Sequence, residues 1–103
     1  ISNVEIPFRG VPNPDLTTFW KSMQNFLDGT PNRAIILGLQ GYHDHWTVIE
    51  YITDRSIFLY DSSRIKRLPR ARCTTVYATW TRKHLLLPAQ TYFLSNESED
   101  DEE

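Results

Sequence analysis

Apolar residues recur at helical spacing only once along the chain. Leu16, Phe19, Trp20, Met23, Phe26 and Leu27 fall on one helical stripe, which predicts an amphipathic helix over roughly 15–28. Asp15 stands at the N-cap or in the first turn, and Gly29 with Pro31 just beyond supplies the stop. Everything after the helix reads as strand. Arg33 to Leu39 is apolar on both faces, as a buried strand requires. His45 to Thr53 is rich in β-branched and aromatic residues, Asp54-Arg55 marks a turn, and Ser56 to Asp61 is the partner strand of a hairpin. Ile65 to Leu68 reads as a short strand ended by Pro69, Thr91 to Leu94 as the last strand, and Thr74 to Thr81 has modest β character. Val4 to Phe8 holds Pro7 and is at best an edge strand. The order, one helix and then a run of strands, predicts an α+β fold: an antiparallel sheet with the N-terminal helix packed on it. Trp46, Val48 and Ile52 alternate with Thr47, Ile49 and Tyr51, so both faces of the central strand are expected to be apolar. The helix covers one face. The other needs a cover, from the Thr74–Leu87 segment or from a partner chain.

Composition narrows the picture. The chain has 103 residues, which is one small domain with room for a single core. Residues 1–95 are read as that domain. It contains one cysteine, so no intrachain disulfide forms. The longest apolar run is Leu85 to Leu87, so no membrane partner is expected, and no secretory leader opens the sequence. A cytoplasmic location is the expectation. The first residue is Ile1, which leaves the expectation that something precedes it. The formal charge of −2 hides a division. Six of the thirteen acids lie in the last eight residues, leaving seven against eleven bases in the body. Residues 96–103 are read as a disordered acidic tail. Seven bases, Arg64 to Lys83, run without an intervening acid. Solvation of that basic face is the plain reading, and screening by the tail the sharper one. Nucleic acid ranks last as a partner, because the sequence pI is about 5.9.

Candidate chemistry gathers between Gly41 and Ser63. His43-x-His45 on a strand would point both rings to one face, which suits a metal. Only Asp44 and Asp61 are at hand as further ligands, so no metal site is assigned and no cofactor is expected. His45 and Asp61 are a better pair, since both sit at the open ends of the hairpin strands. A symmetric two-residue turn at Asp54-Arg55 pairs Val48 with Asp61 and sets His45 and Asp61 on opposite faces. A three-residue loop over Thr53 to Arg55 instead pairs Thr47 with Asp61. His45 is then a diagonal neighbour on the same face, about 7–8 Å away by backbone and within side-chain reach. A carboxylate there would hold the imidazole in one tautomer and stabilise its charged form.

The stretch with His45-Trp46-Thr47-Val48 and Leu59-Tyr60-Asp61-Ser62 resembles the His–Asp hairpin of papain-like cysteine peptidases. It is most similar to the bacteriocin-leader (double-glycine) peptidases, in which a helix precedes a buried strand and then a loop bearing the His. Leu16–Leu27, Ala34–Leu39 and His45 follow that order, and the similarity runs from Asp15 to Leu94. The resemblance implies the sheet half of a peptidase domain, with His45 as base and then acid and Asp61 as its orienter. The chain departs from the pattern in one respect above all: no cysteine precedes His45. Gln40 does not match the oxyanion glutamine's position, although it lies close before His45. The His-Trp start with Tyr-Asp-Ser also resembles ubiquitin-like-protein proteases, whose Cys follows the Asp. Cys73 comes twelve residues after Asp61 without a Gly-rich neighbourhood. Arg70 and Arg72 beside it could lower its pKa, while a small buried residue is the ordinary role of a lone Cys. The expected function is therefore a cysteine-peptidase-related domain that by itself is inert. The alternative is a non-enzymatic module that binds a peptide or a protein through its strand edges or basic strip. A sheet edge or the uncovered face are the candidate surfaces for self-association.

Overall fold

The computed structural model describes residues 3–12, 14–40, 45–60, 66–76 and 83–96, with His45 described by its backbone alone. It is an α+β fold in which one helix lies on an antiparallel sheet. The elements are β1 (Asn3–Glu5), α1 (Leu16–Leu27), β2 (Arg33–Gln40), β3 (His45–Ile52), β4 (Ser56–Leu59), β5 (Arg67–Pro69), β6 (Cys73–Thr74), β7 (His84–Leu86) and β8 (Tyr92–Ser95). Single 3-10 turns, Arg70–Arg72 and Pro88–Gln90, precede β6 and β8. No helix among the described residues is long and apolar enough to cross a membrane.

The helix forms where the stripe predicts it. Asp15 takes an extended N-cap backbone, and its carbonyl accepts the first helical bond from Phe19 N (3.1 Å), but its carboxylate makes no capping bond. Phe19, Trp20 and Met23 are wholly buried. Burying side chains of this size stabilises the fold by about 2 kcal/mol each, so packing rather than the cap holds α1. Its position is fixed by polar ties. Trp20 Nε1 donates to Thr53 O (2.8 Å), and Arg70 lies over the Trp20 ring while its guanidinium donates to Thr17 Oγ1 (2.9 Å).

The sheet runs β1-β8-β2-β3-β4-β5, with β7 also paired to β2 and β6 beyond it. The β6–β7 pair is parallel, the one departure from the antiparallel expectation among the described strands. Its inner face is the core: Ile35, Leu37 and Leu39 of β2, Ile49 of β3, Ile57 and Leu59 of β4, Leu68, Leu86 and Phe93. Most predicted strands hold within a residue or two. The segment after Asp61 differs more, with β5 shifted to Arg67–Pro69 and Pro69 tolerated because β5 is an edge. β7 was hidden inside the apolar run at Leu85–Leu87. Where described, the Thr74–Leu87 segment does not cover the outer face. β7 extends the sheet by pairing with Leu39 and Gln40.

β3 corrects the simple alternation. Ile52 pairs with Ile57 and Tyr51 with Phe58, and then the register shifts so that Ile49 pairs with Leu59. Glu50 is the extra residue of a β-bulge, which reverses the side-chain parity beyond it. Thr47, Ile49 and Ile52 therefore belong to the inner side. Trp46, Val48 and Tyr51 share the outer, exposed side.

One edge of β2 serves two strands. Arg33–Ile36 pair with β8, and Leu39–Gln40 pair with β7. Between them the chain detours through Pro88–Gln90, directly over Gly38. A Cβ on Gly38 would stand 2.8 Å from Gln90 O and 3.2 Å from Gln90 Cβ. Gly38→Ala should therefore destabilise the fold by about 2 kcal/mol, the cost of overpacking against backbone, read as a lowered urea midpoint at unchanged slope.

Candidate functional site

The two chemically loaded strands are brought together by the register of the hairpin. At the turn, Thr53 N donates to Ser56 O (2.8 Å), and Thr53 Oγ1 accepts from the amides of Arg55 and Ser56. That is the symmetric two-residue turn, and it gives the Tyr51–Phe58 and Ile52–Ile57 pairs. Past the bulge the pairing is instead that of the three-residue loop. Ile49 faces Leu59, and Tyr60 N donates to Val48 O (3.0 Å). Both alternatives left open by the sequence are thus present, one on each side of Glu50.

His45 opens β3 with its backbone opposite Leu39. Its side chain and all of Asp61 lie outside the described residues, as do His43 and Asp44. Two positions along β3 from His45, Thr47 is 4% exposed, and its Oγ1 has no hydrogen-bond partner among the described residues. Leu37 stands opposite it on β2. A buried hydroxyl without a partner costs about 1–3 kcal/mol in lost hydration, so it marks this part of the inner face as polar at the expense of stability. Nothing in the pattern of residues marks this position, because Thr is an ordinary strand residue.

Gln40 ends β2 opposite Leu85. Its half-buried side chain lines an open groove of about 730 Å³ whose walls include Pro14, Val76, Leu85, Pro88 and Gln90. Most of the residues that line it are apolar, and Gln40 and Gln90 are its amide-bearing side chains.

Cys73 is placed by β6, which lies beyond β7 and β2 from β3. Three strand spacings amount to about 14 Å, well outside thiol–imidazole contact with β3. The thiol is buried, and Sγ donates to Pro69 O (3.3 Å). Burial pushes its pKa up to about 12, with Lys83 pulling weakly the other way. Arg70, one candidate activator in the sequence, spends its guanidinium on Thr17, Asp54 and Trp20 instead. At neutral pH Cys73 is a protonated thiol in the core, not a thiolate. No group of three or more His, Cys, Asp or Glu among the described residues could hold a metal ion. The chain matches no protein-family model, no curated protein and no solved structure.

Two outcomes follow from the geometry. Thr47→Val keeps the shape and removes the orphan hydroxyl, so it should raise stability by about 1 kcal/mol in a denaturant titration. Cys73 gives a pH dependence. Its folded pKa lies above the ordinary 9.0, so between pH 9 and about 12 the unfolded chain releases a proton that the folded chain keeps. Stability from this group is complete below pH 9 and declines as pH rises, by up to about 1.4 kcal/mol per pH unit. In Cys73→Ala the thermal midpoint should fall less steeply across that alkaline range.

Proposed function

We propose that this chain is a papain-like cysteine-peptidase-related domain that supplies the His–Asp half of an active site. The observation that carries the reading is the shifted register of the hairpin. Were the pairing of the described residues to continue one rung beyond the Tyr60–Val48 bond, Asp61 would stand across from Thr47, the diagonal position from His45. In that arrangement Asp61 accepts a hydrogen bond from one imidazole nitrogen of His45, leaving the other to take a proton from a thiol and return it to a leaving group. The buried hydroxyl of Thr47, without a partner among the described residues, adds support, since buried polar atoms are commonly kept where function needs them. The reaction would be acyl transfer, with a thiolate attacking a peptide carbonyl. Cys73 does not fit the nucleophile's role, for the reasons of burial and distance above. The thiol would therefore have to come from outside these 103 residues, and the chain alone is inert.

A second reading, a peptide- or protein-binding module of the same fold, is favoured by the apolar groove beside Gln40 and by the exposed aromatic face of the sheet. A bacterial, cytoplasmic setting belongs to the resemblance and is part of the proposal. The pair itself is testable without catalysis. In ¹⁵N NMR of the imidazoles, His45 should show a single tautomer with a hydrogen-bonded N–H, and Asp61→Ala should convert it to a mixed, rapidly exchanging ring. An identical His45 spectrum in the two proteins would remove the His–Asp reading and leave the binding module.

A further inference from the structure

We draw no further inference here: the strongest candidate, the exposed outer face of the sheet around Trp46, Val48, Tyr51 and Tyr60, carries nothing, because nothing in the structure shows what covers it.

Discussion

The architecture depends on how closely the Pro88–Gln90 turn approaches β2 at Gly38. One strand edge cannot pair with two strands unless the chain between them leaves the sheet plane and returns. Here it leaves at Leu87 and returns at Thr91. Gly38 O accepts from Leu87 N (2.9 Å), and Gly38 N donates to Thr91 Oγ1 (3.2 Å). Thr91 Oγ1 in turn donates to Leu87 O (2.8 Å), which closes the detour. The absent side chain of Gly38 is what lets Gln90 O come near enough to receive Trp46 Nε1 from the neighbouring strand. The joint between β7 and β8, the exposed placing of Trp46 and the groove beside Gln40 all follow from one missing Cβ.

The bulge at Glu50 is the second decisive point. It divides one hairpin into two registers, and so decides both which residues face the core and which pairs can meet at the hairpin's open end. Without it, Tyr51 would turn inward and Ile52 outward, and the stacked Tyr51–Phe58 pair could not stand on the same face as Trp46. The bulge therefore sets both the buried side of β3, with Thr47 and Ile49, and the aromatic side behind it.

How much of this was legible in the sequence depends on the range of the interaction concerned. α1 was legible because its stripe is local, and β2, β3, β4 and β8 because each is bounded by its own turn residues. The bulge was not, because nothing in Ile49-Glu50-Tyr51 distinguishes an extra residue from regular alternation. The two hairpin registers were both foreseeable, but their coexistence was not. β7 and the parallel β6–β7 pair were missed because Cys73-Thr74 and His84–Leu86 are too short to show a period and form only by pairing across the fold. For the site, the position of His45 at a strand start was readable, whereas the burial of Cys73 was not. The basic residues beside it in sequence suggested activation, and three-dimensional burial reversed the sign.

Pro69 has a consequence for what the sheet does at its boundary. Lys66 O and Arg70 N bond to β4, so by alternation the backbone groups of Arg67 and Pro69 point away from it. Proline has no N–H, and Pro69 O is already taken by the Cys73 thiol. Along this edge an incoming strand would find one free amide, at Arg67, beside a positive charge. Such an edge cannot seed a continuous ladder of added strands, the route by which exposed sheets grow into fibrils. At β5, therefore, the sheet is closed to the addition of a further strand.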